Sequence, residues 1–453
     1  MNIQTDRALV AAEAPAVRYC TVTITAPKPA RTADRPPRPA ARVAIVLDRS
    51  GSMAGSKIAM ARKAVDHAMR LLGDRDQLAV VCYDDQVDVL LASAPASGEA
   101  KTMAQSRLRA IDARGSTDMA AGWRAAAEQV GACPRMPSGG TGPVPSRAEE
   151  TDDDASEKAA ESGSAYHPAR VMLLTDGLAN VGETNPDVLS GVAAKLKADG
   201  IITSTFGVGA DFDDALLSRI ATAGGGHFYF IEHAKQIPDI LTSELGDALN
   251  IVARDAELII RDSIGAKSMC LNDFPTDMDE DGLHIRLGDL SEGQEVTLVL
   301  ATEIGPKTLG ASTSILLRLA DRERVLYGAP MDVSWASADA DANRTQPVNR
   351  DVIIAAAMLL AERARAEALE LNRAGAFDRA HQVLERAISR IRALGDDLRE
   401  IQAVANSLED VAPRYAEAME PMLAKQQFFQ SYTINRSRAG DGKGKKWGTS
   451  SPA

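Results

Sequence analysis

The chain has 453 residues, 45% hydrophobic and 25% charged, an ordinary globular usage that excludes a wholly disordered or fibrous protein. At roughly 150 residues per domain there is room for about three domains. Lys plus Arg number 51 against 63 Asp plus Glu, a net charge of −12, which argues against a nucleic-acid coat or a membrane-surface protein.

Residues 1–40 hold one strand-like alternation, Tyr19 to Thr25, followed by a Pro/Arg/Ala linker from Pro27 to Pro39. The alternation needs a partner sheet, and pairing with the β segments after residue 255 is expected. Residues 41–254 change texture. Apolar runs at 43–47, 78–83, 171–174, 201–206 and 228–230 read as buried strands. Segments at 57–72, 101–111, 119–130, 186–198, 213–223 and 234–252 carry helical spacing. Strands and helices in alternation predict an α/β fold, a doubly wound and mostly parallel sheet with helices on both faces.

Residues 134–168 interrupt this pattern. They are rich in Gly, Pro, Ser, Asp and Glu and lack periodic apolar positions, which predicts a disordered acidic insertion. Helix 119–130 starts at the carboxyl crest of the sheet and strand 171–174 starts at the opposite pole. The insertion is therefore expected to be anchored away from the crest. Residues 255–340 consist of short alternating segments, as in a small β-sandwich. Residues 349–425 are Ala/Leu/Arg/Glu-rich and broken near Gly375 and Gly395, which predicts a helical hairpin region. A basic disordered tail is expected over 426–453, with Lys443, Lys445 and Lys446 among Gly and Ser.

The four cysteines, at 20, 82, 133 and 270, form no CxxC pair, so neither a zinc module nor a dense disulfide framework is expected. No basic stretch followed by an apolar one opens the chain, and the longest apolar run, Val352 to Ala361, falls well short of the ~20 residues that cross a bilayer. A cytoplasmic protein outside the membrane is expected.

The chemistry concentrates where the first buried strand ends, at Asp48-Arg49-Ser50-Gly51-Ser52. Gly115-Ser116-Thr117-Asp118 precedes a helix, and strand 171–174 runs into Thr175-Asp176-Gly177. Each motif alone could be a cap or a turn. Together they place Asp48, Ser50, Ser52, Thr117 and Asp176 at one end of one sheet, where such folds bind ligands. An all-oxygen, thiol-free donor set of this kind suits a hard divalent cation.

These residues resemble the metal-ion-dependent adhesion site of a von Willebrand factor type A (VWA) domain, whose pattern is Asp-x-Ser-x-Ser, then Thr, then Asp. The resemblance covers residues 42–253, and the whole chain is similar to bacterial cytosolic proteins of this class. It is more loosely similar to the heavy chains of inter-alpha-trypsin inhibitor. The family pattern implies that Ser50, Ser52 and Thr117 are direct or near-direct ligands and that Asp48 and Asp176 act mainly through water. It implies magnesium as the cation ahead of manganese or calcium. A site with neutral direct ligands keeps excess positive charge, so the expected function is a non-catalytic protein-interaction module. Its cation would bridge to an Asp or Glu carboxylate of a partner protein.

Two other readings compete: a metal-dependent phosphoryl-transfer enzyme, and a scaffold acting mainly through its helical C-terminus. For the first, the second Asp expected two residues after a nucleophilic Asp48 is replaced by Ser50, which removes the general acid. Gly51 to Lys57 has the wrong spacing for a phosphate loop. His67 falls within a helix and His227 and His233 have no spaced ligand partners, so all three read as structural or surface residues.

Overall fold

The structure, a computed structural model, describes residues 1–28, 38–131, 169–322, 324–395 and 397–437. Most of the Pro-rich linker, the acidic insertion and residues 438–453 of the expected tail lie outside these. The chain divides into two units, Met1–Arg31 with Asn250–Ala453, and Thr32–Leu249.

The first unit begins with three strands, β1 (Asn2–Thr5), β2 (Leu9–Ala11) and β3 (Ala16–Thr25). The second unit then runs through β4 (Arg42–Asp48), α1 (Ser56–Leu71), β5 (Gln77–Tyr83), β6 (Val87–Pro95), α2 (Gly98–Arg109) and α3 (Met119–Gln129). It continues with β7 (Ala169–Thr175), α4 (Pro186–Ala198), β8 (Ile201–Val208), α5 (Asp214–Ala223), β9 (Gly225–Ile231) and α6 (Ile237–Leu249). Its strands form one sheet in the order β6-β5-β4-β7-β8-β9. All are parallel except β6, which pairs antiparallel with β5. This is the expected doubly wound α/β sheet, and its central strands bury both faces: every residue of β7 and β8 is buried.

Strand β6 carries no legible signal in the sequence. It is an edge strand that buries only Leu91, so alternation that packing would impose is missing. The last helix is shorter than expected. It ends at Leu249, and Ile251 already pairs with Ser291 as the start of the next strand.

The first unit resumes with β10 (Ile251–Asp262), β11 (Ala266–Cys270), β12 (Thr276–Asp279), β13 (Gly282–Ser291), β14 (Glu295–Ile304), β15 (Ser312–Ala320) and β16 (Met331–Ala338). These strands and β1–β3 make a four-stranded sheet, β1-β3-β14-β11, and a six-stranded sheet, β12-β13-β10-β15-β16-β2. β3 pairs antiparallel with β14 along its whole length, from Ala16↔Ile304 to Thr25↔Glu295. The strand that precedes the α/β unit in sequence therefore belongs to the sandwich that follows it.

Among the described residues, five helices follow β16: α7 (Ala340–Thr345), α8 (Arg350–Arg373), α9 (Phe377–Gly395), α10 (Arg399–Tyr415) and α11 (Pro421–Asn435). Val22, Leu298 and Leu300 of the four-stranded sheet point into the sandwich core, while Tyr19, Val299 and Ala301 pack with the helices. That sheet is thus covered on both faces. α8 lies against it and is Ala-rich because it is buried on several sides, where small side chains permit close approach. The α8–α9 turn has Gly375 at φ +74°, with the Ala376 amide donating to the Leu371 carbonyl, a glycine-terminated helix end.

Two expectations are corrected here. Residues 349–425 are not a helical hairpin, because α8 is followed by three further helices rather than one. Residues 426–435 are not tail, since they lie within α11. Packing, not composition, orders this end. Asn435 and Ser437 are buried, and Ser437 Oγ accepts from the Thr297 amide at 3.0 Å.

Candidate metal centre at the sheet crest

β4 ends at Asp48 and its neighbour β7 ends at Thr175. Strand order reverses between them, with β5 and β6 lying to one side and β8 and β9 to the other. Connections leave such a pair in opposite directions, so a crevice opens beyond the carboxyl ends.

Backbone bonds stitch three loops together at this crevice. In the loop after β4, the Arg49 amide donates to the Tyr83 carbonyl at 2.8 Å and the Gly51 amide to the Gly115 carbonyl at 3.2 Å. The Arg114 amide returns a bond to the Arg49 carbonyl at 2.8 Å. The Thr117 carbonyl accepts from the Asn180 and Val181 amides at 3.2 Å each, which ties in the loop after β7.

The side chains converge accordingly. Asp48 Oδ1 accepts from the Ser50 amide at 2.7 Å and Oδ2 from the Thr175 hydroxyl at 2.6 Å. Ser50 Oγ and Ser52 Oγ are 3.1 Å apart. Ser52 Oγ donates to Asp176 Oδ1 at 2.6 Å, and Lys57 Nζ donates to Asp176 Oδ2 at 2.5 Å. A Cβ placed on Gly177 would stand 3.4 Å from Thr117 Oγ1 and 3.5 Å from Ser52 Oγ, so Thr117 borders the same point. The structure thereby gathers Asp48, Ser50, Ser52, Thr117 and Asp176 at one end of the sheet.

Asp48 and Asp176 are 0% exposed, Ser50 and Thr117 are buried, and Ser52 alone of the five is exposed. The site is therefore buried except beside Ser52. Burial pushes the Asp48 carboxyl up to about 6, against the bonds from Thr175 and Ser50, and the Asp176 carboxylate adds to the rise. A buried carboxylate that is costly to ionise gains from a cation. Among the described residues, no cluster of three or more His, Cys, Asp or Glu side chains could hold a metal. Hydroxyls must complete any ligand set here, and two carboxylates with three hydroxyls fit a hard divalent cation.

Sequence reasoning missed three contributors. Thr175 looked like part of a strand-ending turn, and its bond to Asp48 depends on β4 and β7 being neighbours. Lys57, read only against a phosphate loop, reaches Asp176 from the first turn of α1. Arg49, between the motif's Asp and Ser, is buried and faces Asp84 at 3.0 Å and also Asp88. Asp84 is buried. Burial pushes its carboxyl up, but Arg114, the Gln86 amide and Arg49 outweigh that and hold it below the usual range.

The other motifs lie apart from this site. His227 Nδ1 sits 3.1 Å from Glu244 Oε1, and Tyr229 donates to the other Glu244 oxygen at 2.5 Å. Insertion 134–168 lies outside the described residues, but its flanks do not. Ala169 is in register with Arg42 at the start of β4, and a Cβ on Gly131 would meet the Arg42 guanidinium. Both flanks stand at the sheet end opposite Asp48.

A family model described as von Willebrand factor type A domain matches residues 43–178, and a second of the same description matches 149–243. The uncharacterised protein YfbK of Escherichia coli (strain K12) is 27% identical over 221 residues, covering 48% of this chain and 33% of that protein. Human inter-alpha-trypsin inhibitor heavy chain H4 is 28% identical over 185 residues, covering 41% of this chain and 17% of that protein. The matches thus span a third or less of these relatives' own length. A solved structure, a von Willebrand factor type A protein from Catenulispora acidiphila, aligns with TM-score 0.60 at 16% identity, over 92% of this chain and 97% of that one.

Proposed function

Starting from the fact that this chain carries a von Willebrand factor type A domain, we propose that it is a cation-dependent protein-interaction module without catalytic activity. Ser50, Ser52 and Thr117 would hold a divalent cation, magnesium first, with Asp48 and Asp176 behind them. The cation supplies a Lewis-acidic position for an anionic oxygen, and an Asp or Glu side chain of a partner protein fits it. The observation that carries this reading is the convergence of three hydroxyls and two buried carboxylates at the strand-order reversal, open to solvent beside Ser52.

Two further features support it. Leu178 and Val181, in the loop beyond Asp176, are 49% and 40% exposed, and apolar rim residues suit a protein partner. Both carboxylates are already committed: Asp48 to Ser50 and Thr175, Asp176 to Ser52 and Lys57. These bonds hold both carboxylates in place behind the hydroxyls, as a cation site requires.

The test uses Asp48→Asn, which keeps the shape and removes the charge. Mn2+ binding to the wild type, and loss of chelator-sensitive partner capture in the variant, are the expected results. Capture that survives both chelator and Asp48→Asn would overturn the metal bridge in favour of the helical C-terminus. Metal-dependent hydrolysis of phosphate esters that the same variant abolishes would establish the enzyme reading instead.

A further inference from the structure

Resting on that metal-bridge reading, we infer that Lys57 is a built-in counter-charge. It weakens cation binding to the bare site and strengthens capture of a carboxylate by the loaded one. Lys57 is the second residue of α1, and its ammonium reaches across to the fully buried Asp176 at 2.5 Å. A Cβ on Gly209, in the loop after β8, would lie 3.5 Å from Lys57 Nζ. The backbone of that loop therefore runs beside the ammonium.

Charge balance follows from these contacts. Asp48 and Asp176 contribute two negative charges and Lys57 one positive. A divalent cation then leaves the loaded site with one excess positive charge, and a single partner carboxylate neutralises it. Without Lys57 that positive charge is gone, and an incoming carboxylate is attracted less strongly. Arg49 and Arg114 face Asp84 and Asp88, and Asp118 accepts from the Ala121 amide at 2.9 Å at the start of α3; these groups are the same with and without Lys57, so its loss removes one positive charge from the site.

Opposite signs distinguish this role from simple positioning. If Lys57 only held Asp176 in place, its loss would loosen the site and weaken cation binding. As a counter-charge, its loss strengthens cation binding by about tenfold or more, since a unit charge near a divalent ion in a partly desolvated site is worth at least that. The one-quarter exposure of the Lys57 side chain keeps the estimate at this lower end.

The experiment titrates Mn2+ into the full chain, followed by electron paramagnetic resonance, for the wild type, Lys57→Met and Lys57→Arg. Acetate is then added to each Mn2+-loaded protein, and water-proton relaxation reports displacement of bound water. Lys57→Met is expected to bind Mn2+ about tenfold more tightly and acetate more weakly, with Lys57→Arg close to wild type. Lys57→Gln, which keeps a donor for Asp176, replaces the Met variant if that one does not fold. Equal or weaker Mn2+ binding on loss of the charge, or unchanged acetate binding, overturns the inference. Failure of the wild type itself to bind Mn2+ instead overturns the metal-bridge reading.

Discussion

Thr175 donates its hydroxyl hydrogen to Asp48 Oδ2 at 2.6 Å, linking the last residues of two adjacent parallel strands that are 127 positions apart in sequence. This bond fixes the rotamer of the buried carboxylate and lowers the cost of ionising it, opposing the burial that raises its pKa to about 6.

Thr175→Val keeps the shape and removes that donor. Asp48 then holds its proton to higher pH, so Mn2+ affinity at pH 7 is expected to fall, with Thr175→Ser restoring it. Stability of the metal-free protein should change by about 1–3 kcal/mol. Parallel Mn2+ titration and urea unfolding check this. Unaltered metal affinity in the Val variant would mean that the hydroxyl does not tune Asp48.

Glu362 and Arg365, one turn apart on α8, are buried and bonded at 2.8 Å. Ser431 of α11 donates to the other Glu362 oxygen at 2.9 Å, and Arg365 donates to Ser407 Oγ of α10 at 2.9 Å. The pair thus ties three helices together. Glu362→Ala strands a buried guanidinium and should cost about 3–5 kcal/mol, whereas Glu362→Met with Arg365→Leu should cost much less. Denaturant unfolding of both variants decides it; equal losses would show that the charges themselves do not matter.

His284 on β13 is buried, with Nδ1 3.2 Å from Glu257 and Nε2 3.0 Å from Asp279. Burial disfavours its imidazolium, but these two carboxylates outweigh that and raise its pKa above the usual 6.5. The Asp281 amide and then His284 hold Asp279 below its usual 3.8. The stability contributed by His284 is therefore complete below about pH 6.5 and is lost as pH rises through the raised value. The part due to Asp279 is complete above about pH 4 and lost as pH falls. The melting-temperature gap between wild type and His284→Gln should be widest near pH 5.5 and shrink by pH 9. A gap independent of pH would rule out this clasp.

Much of this architecture is legible in the residues themselves. Val43–Leu47 and Val171–Leu174 read as strands because a strand buried on both faces must be apolar throughout. The order of Asp48, Ser50, Ser52, Thr117 and Asp176 marks three loop ends that share one crest. Local patterns of this kind record which faces are buried. They do not record which element does the burying, and that is where the tertiary structure decided the outcome. β6 and the full extent of α11 were hidden because an edge strand needs little apolar alternation and α11 is ordered through side chains such as Ser431. The neighbouring of β4 and β7 sets the reversal of strand order and gives Asp48 its partner Thr175. Lys57 became part of the site only when α1 brought its ammonium to a carboxylate 119 residues away, because an ion pair between distant residues depends on the three-dimensional path of the chain and leaves no periodic trace along it.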